Sequence, residues 1–239
     1  MSPDAAPVAL ITGAAGGIGS ALAARLAESG YDLILTDLTA GKGPANSHWL
    51  AADIADPADV ESLCATTRER FGRLDALIHA AGKVGQGPLA EVAVDDWCEL
   101  LAINLTSAFL LTKHAYPLLK QQRGRVVLFS STNALNGGSA LSGPAYAAAK
   151  AGIINLCRYL AKEWAADGIR VNCVAPGPVD TPMLDRLGEA GKRSLIDSMP
   201  LGRLATTADV VAVVTHLLSP GGDLLTGTVH NLSGGLILD

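Results

Sequence analysis

Residues 8–19 read VALITGAAGGIG, and the rest of the chain is organised around this stretch. An apolar, β-rich run over 8–12 passes directly into four glycines, Gly13, Gly16, Gly17 and Gly19, and a helical pattern follows with Ile18, Leu22 and Leu26 on one face. Glycine permits a tight turn and lets main-chain N–H groups approach a ligand, while a helix start carries partial positive charge. A strand, this turn and a helix together make a seat for a pyrophosphate. The spacing, GxxxGxG, differs from the GxGxxG of the usual dinucleotide fingerprint, and the turn could also serve only as a tight strand-to-helix connection.

Working outward, short apolar runs recur at 33–36, 48–51, 76–79, 126–129, 171–174 and 229–232, and helical patterns lie between them at 17–29, 57–71, 95–120, 144–167 and 207–218. Runs apolar on both faces suit a parallel sheet covered on each side. The expectation is α/β: a single doubly wound Rossmann-type domain over 1–239, with about seven parallel strands and helices on both faces. Residues 38–47 (LTAGKGPANS) are too rich in Gly, Pro and Asn for a helix, so that crossover is expected to be a loop. Residues 138–143 and 183–199 are the expected mobile segments.

Composition narrows the function classes. The 239 residues are 49% hydrophobic and 17% charged, which excludes disorder. Eighteen basic against 23 acidic residues give a net charge of -5, so neither nucleic acid nor an anionic membrane is an expected partner. Residues 126–149 carry no charge but contain too much Gly, Ser, Asn and Pro for a membrane helix. Residues 1–7 (MSPDAAP) show no secretory signal pattern. Cys64, Cys98, Cys157 and Cys173 lack metal-ligand spacing and read as buried free thiols of a reducing compartment, which points to a cytoplasmic protein. His48, His79, His114, His216 and His230 form no ligand cluster, and no metal is expected.

Asp37 closes the second apolar run (LILTD), where a carboxylate can accept hydrogen bonds from ribose hydroxyls and repel a 2'-phosphate. No Arg or Lys stands in 13–19 or at 38 to pair with such a phosphate, so NAD is expected over NADP. Asp37 could alternatively cap a turn. Asp53 and Ile54, and then Ala80, Ala81 and Gly82 after His79, fall at the same carboxyl edge of the sheet, and Asp53 could equally cap the turn before Pro57.

Residues 146–150 read YAAAK, placing the Tyr146 phenol and Lys150 ammonium on one helix face. A cation at ~4 Å in an effective dielectric near 20 contributes about 4 kcal/mol, enough to bring a phenol close to neutral pH. Ser131 ends the preceding strand, where its hydroxyl could hold a substrate oxygen beside Tyr146.

With these motifs in view, the chain resembles the short-chain dehydrogenase/reductase family from Val8 through Gly235. TGAAGGIG resembles the family's cofactor loop and HAAG its fourth-strand motif; Asn104 matches its long-helix asparagine, and Ser131, Tyr146 and Lys150 its catalytic set. NCVAPGPVDT (172–181) matches its Pro-Gly motif, and LTGTVHNLSGG its last strand. The resemblance implies an NAD(H)-dependent oxidoreductase that interconverts a secondary alcohol and a ketone. Tyr146 would be the acid/base, Lys150 would lower its pKa and bind ribose, Ser131 would orient the carbonyl, and Asn104 would hold a relay water or be simply a buried polar residue. Pro176, Gly177, Val179 and Thr181 would border the nicotinamide. It also implies a homotetramer formed through the helices at 95–120 and 144–167. A 3-oxoacyl-carrier-protein reductase is the alternative enzyme, opposed by Asp37 because that branch usually prefers NADPH. A non-catalytic dinucleotide sensor is the alternative of another class.

Three features depart from the family pattern. Ser131 precedes Tyr146 by 15 positions, two more than usual, so strict counting lands on Asn133. His79 stands where the family has Asn, as a neutral turn-stabilising group or a titrating one. The short crossover at 38–47 resembles the branch that oxidises 2,3-dihydro-2,3-dihydroxybenzoate, a hint toward a cyclic diol. Asn133, Asn136, Ser139 and Ser142 could line a hydroxylated substrate's pocket or satisfy loop backbone. Arg186, Lys192 and Arg193 could meet an anionic substrate or form a solvated face.

Overall fold

The computed structural model describes residues 5–238; residues 1–4 of the N-terminal stretch, and residue 239 of the expected domain span, lie outside them. Seven strands, β1 (Val8–Thr12), β2 (Asp32–Asp37), β3 (Ser47–Ala51), β4 (Ala76–His79), β5 (Arg125–Phe129), β6 (Arg170–Pro176) and β7 (Val229–Leu232), form one sheet in the order β3-β2-β1-β4-β5-β6-β7. Every neighbouring pair is parallel. The Rossmann-type expectation therefore holds, with each run within one or two residues of its observed strand.

Alternation along β1 explains why both faces need covering. Val8 and Leu10 join the core beneath α2 (Pro57–Phe71), whereas Ala9 and Ile11 join the core beneath α1 (Gly17–Glu28). Local chemistry fixes the helix ends. In α2, Asp56 accepts from the Ala58 N–H at 2.7 Å, Pro57 occupies the first turn and Gly72 closes it with a positive φ of 65°. The 38–46 connection contains no helix.

The pattern at 95–120 divides in the structure. Helix α3 (Val94–Leu101) passes through a π-helical turn (Ala102–Thr106) into α4 (Ser107–Gln122). A short α5 (Asn133–Asn136) absorbs part of the extended loop before α6 (Pro144–Glu163). The segment 183–199 is built from a 3-10 turn (Pro182–Leu187) and α7 (Gly188–Ser198), before α8 (Thr207–Leu218). Cys64, Cys157 and Cys173 are buried free thiols, but Cys98 is exposed because α3 turns it outward. Among the described residues, no helix is long and apolar enough to cross a membrane.

Candidate active site

Because all strands run parallel, their carboxyl ends share one edge, and the chain reverses its spread between β1 and β4. That switch point is where open α/β sheets leave a crevice. A cavity of about 900 Å³ opens there. Its wall includes Gly13, Gly16, Gly17, Ile18, Gly19, Asp37, Asp53, Ile54, Ala80, Ala81, Gly82, Ser131, Tyr146, Lys150, Pro176, Gly177, Val179 and Thr181. Of the residues singled out in the sequence, Asn104, His79, Lys192 and Arg193 stand off this wall. Asn133, Asn136, Ser139, Ser142 and Arg186 do reach it.

At one end the glycine turn leaves no room for side chains. A Cβ on Gly19 would lie 2.1 Å from the Gly13 carbonyl oxygen, and one on Gly13, at φ +67°, would lie 2.7 Å from the Ala81 backbone. No side chain among the described residues caps α1, so its leading N–H groups face the cavity as an anion seat. Asp37 accepts from the Ala15 N–H at 3.1 Å and from the Leu38 N–H at 2.9 Å. It therefore braces the glycine turn as well as bordering the cavity, and its remaining lone pairs can still accept. Asp53 Oδ1 accepts from the Ala55 N–H at 2.9 Å, the turn-capping alternative, while Asp56 is the true helix cap.

At the other end Ser131 and Tyr146 share the cavity wall, and the Ser131 hydroxyl is felt at the Tyr146 phenol, lowering its pKa. The extra loop length is taken up by α5, and it is the Ser131 hydroxyl, not Asn133, that is felt at the Tyr146 phenol; Asn133 donates its backbone N–H to Ser131 Oγ at 3.2 Å. Ser130 Oγ donates to the Lys150 carbonyl at 2.7 Å and Lys150 Nζ donates to the Phe129 carbonyl at 2.8 Å, clamping α6 onto the end of β5.

Contrary to expectation, Lys150 does not bring the Tyr146 phenol toward neutral pH. Burial pushes the Tyr146 phenol above its ordinary value, against smaller opposing effects from the Ser131 hydroxyl and the Arg186 charge. Lys150 sits over the Tyr146 ring, 5.6 Å from its centroid, and burial pushes its own pKa down to about 8. An ammonium bound to a backbone carbonyl and facing the ring does not offset the loss of solvent around the phenol.

Asn104 is fully buried in the π-helical turn. Its Nδ2 donates to the Lys83 carbonyl at 2.8 Å and the Leu100 carbonyl at 3.0 Å, and its Oδ1 accepts from the Lys83 N–H at 3.2 Å. Its amide grips the strand-to-loop backbone after Gly82 instead of reaching into the cavity. A Cβ on Gly82 would lie 2.8 Å from Asn104 Oδ1 and 3.3 Å from Lys150 Nζ, so glycine is required there.

His79 completes a directed chain of hydrogen bonds. Ser107 Oγ donates its only proton to the Ile103 carbonyl at 2.6 Å, so it accepts from His79 Nε2 at 3.0 Å. His79 Nδ1 then accepts from Thr12 Oγ1 at 2.8 Å, and Thr12 Oγ1 accepts from the Ala81 N–H at 3.3 Å. Burial, aided by the Lys150 charge, pushes the His79 pKa down to about 3, so the ring is neutral and stabilising. The unfolded chain takes up this proton near 6.5 and the folded one only near 3. Stability is therefore fully present above 6.5 and lost as pH falls toward 3. Urea unfolding between pH 6 and 4 should show a steeper loss for the native chain than for His79→Asn; parallel slopes would contradict this.

Among the described residues, no three His, Cys, Asp or Glu side chains converge as a metal-binding group.

Comparison with known proteins agrees with this geometry. Residues 13–237 match the family described as Enoyl-(Acyl carrier protein) reductase. The 3-oxoacyl-acyl-carrier-protein reductase FabG of Escherichia coli is 34% identical, over 97% of each chain. The acetoacetyl-CoA reductase of an Acinetobacter species is 34% identical, over 97% of this chain and 98% of that one. The aldohexose dehydrogenase of Thermoplasma acidophilum superposes with a TM-score of 0.89 at 25% identity, over 97% of this chain and 94% of that one. The chain belongs to the short-chain dehydrogenase/reductase family. It is thus an oxidoreductase of the CH–OH/keto class, in a family that binds a nicotinamide dinucleotide.

Proposed function

We propose that the protein is an NAD(H)-dependent oxidoreductase interconverting a secondary alcohol and a ketone, with residues 1–239 acting as one dinucleotide-binding and catalytic unit. The observation that carries this reading is the placement of Ser131, Tyr146 and Lys150 on one cavity wall with the side-chain-free glycine turn.

The residues present fit a dinucleotide. Gly13, Gly16, Gly17, Ile18 and Gly19 would hold its pyrophosphate, Asp37 its adenosine ribose, and Asp53, Ile54, Ala80, Ala81 and Gly82 would border the adenosine side. Pro176, Gly177, Val179 and Thr181 would border the nicotinamide, with Tyr146 and Lys150 at its ribose. When bound, the cofactor supplies or accepts the hydride. In the reducing direction Tyr146 Oη gives its proton to the carbonyl oxygen; in the oxidising direction it takes the proton back. Ser131 orients that oxygen. Lys150 fixes the end of β5 against α6, and Asn104 acts as a positioning residue through the Lys83 backbone.

A second reading, reduction of a 3-oxoacyl thioester, is supported by the names of the reductases above. NAD is supported over NADP by the Asp37 carboxylate at the ribose end. The reading extends to a cytoplasmic homotetramer, supported by the exposed Phe109 and Tyr159 on α4 and α6.

The test is turnover of a panel of ketones, diols, hydroxy acids and acetoacetyl-CoA with NADH beside NADPH, on protein whose mass light scattering should report as a tetramer. NADH should be preferred, and Asp37→Ala should shrink that preference about tenfold or more as charge repulsion is removed. A variant with unchanged preference would remove Asp37 from cofactor choice. Saturable NADH binding without turnover of any compound would favour the sensor.

A further inference from the structure

Six charged residues border the cavity: Asp37, Asp53, Lys83, Glu99, Lys150 and Arg186. Asp37 and Asp53 belong to the glycine-turn end. Lys83 is paired with Glu99 at 2.6 Å, and Lys150 is buried and bonded to the Phe129 carbonyl. Arg186 differs from all of them. Among the described residues its guanidinium has neither a hydrogen-bond nor an ion-pair partner, although acids lie close in sequence. Lys192 takes those acids instead, at 2.7 Å from Asp185 and 4.0 Å from Asp180.

The 3-10 turn at Pro182–Leu187, whose start lies beside Gly17, carries Arg186 onto the cavity wall, which Met183, Leu184, Leu187 and Leu195 also line. Arg186 is solvent-exposed as well as bordering the cavity, and an unpaired cation so placed can receive a planar oxyanion, which the guanidinium fork binds through two parallel bonds.

We infer that the substrate is a hydroxy or oxo carboxylic acid whose carboxylate is held by Arg186 while its reacting carbon lies at Tyr146. This rests on the oxidoreductase reading and names its substrate class. Arg186 and Tyr146 border the same cavity, and the Arg186 charge is felt at the Tyr146 hydroxyl. A cation within that one cavity favours a carboxylate of a small substrate over a phosphate at the far end of an acyl-carrier arm.

The experiment compares pyruvate, acetoacetate and levulinate with their methyl esters, beside acetoacetyl-CoA and cyclohexanone. NADH oxidation is followed for the native chain, Arg186→Gln and Arg186→Lys, and NADH affinity by fluorescence. At least one acid should exceed its ester in kcat/KM by about tenfold or more in the native chain. Arg186→Gln should bring that ratio close to unity, and Arg186→Lys should restore part of it.

An unchanged ratio in Arg186→Gln would overturn the inference. So would turnover confined to esters, cyclohexanone or acetoacetyl-CoA, which would leave the oxidoreductase reading standing. A parallel fall in NADH affinity and in both members of a pair would assign Arg186 to the cofactor. Bound NADH with no turnover of any compound would overturn the inference and the oxidoreductase reading together.

Discussion

Tyr146→Phe is expected to lower kcat by about 10² to 10⁴-fold, the range a positioned general acid or base supplies. The size of the effect follows from the neighbours. Ser131 would meet the same substrate oxygen, but an aliphatic hydroxyl is a far weaker acid than a phenol. His79 cannot replace it, because the ring is buried, neutral and bonded through both nitrogens to Thr12 and Ser107. Lys150 holds the Phe129 carbonyl. The ring of Phe would still pack over Lys150, so NADH affinity should weaken only severalfold, by about one hydrogen bond. Burial raises the phenol's pKa, so Tyr146 stays protonated through neutral pH, the form required to reduce a ketone. Reduction should therefore be flat across neutral pH, and oxidation should rise as the medium becomes alkaline. Turnover by the Phe variant within tenfold of the native rate would remove Tyr146 from the proton step.

The second large effect is expected at Gly19. Its absent side chain leaves space already filled by the Gly13 carbonyl oxygen, 2.1 Å from where a Cβ would stand, with Gly13 C at 2.8 Å and Ala14 Cα at 2.9 Å. All three are backbone atoms, so relief requires the turn or α1 to move. The helix cannot retreat freely, because Leu22 and Leu26 anchor it in the core against the sheet. Gly19→Ala should therefore weaken NADH binding by about a hundredfold, near 2.7 kcal/mol, and lower the melting temperature through overpacking of about 1–3 kcal/mol. At Gly16 the closest atom to an added Cβ is the same oxygen at 3.2 Å, and the backbone is extended at φ -74°. Gly16→Ala should accordingly do less harm. Equal affinity in Gly19→Ala and the native chain, measured by NADH fluorescence, would refute the role assigned to this turn.

Much of the cavity wall was legible before any coordinates, because its signals are local. A β-rich run meeting glycines, an acid closing the next run and a phenol four residues before an ammonium each lie within a few residues of chain. Parallel strands then bring their ends to one edge. Other features had no local signal. The π-helical turn that divides 95–120 leaves the helical periodicity nearly intact, and it aims the Asn104 amide at Lys83 in place of the cavity. Cys98 sits in an apolar helical pattern like the buried cysteines, and only the way α3 packs turns it outward.

Position in the chain thus determined the architecture, the glycine turn and the arrival of Ser131 and Tyr146 at one sheet edge, since these follow from side-chain size, periodicity and strand direction. Tertiary structure decided the electrostatics. Which partner Lys150 takes, whether burial outweighs a nearby cation at Tyr146, and which guanidinium remains unpaired all depend on desolvation and on groups distant in sequence. Those energies exist only once the helices have closed over the sheet.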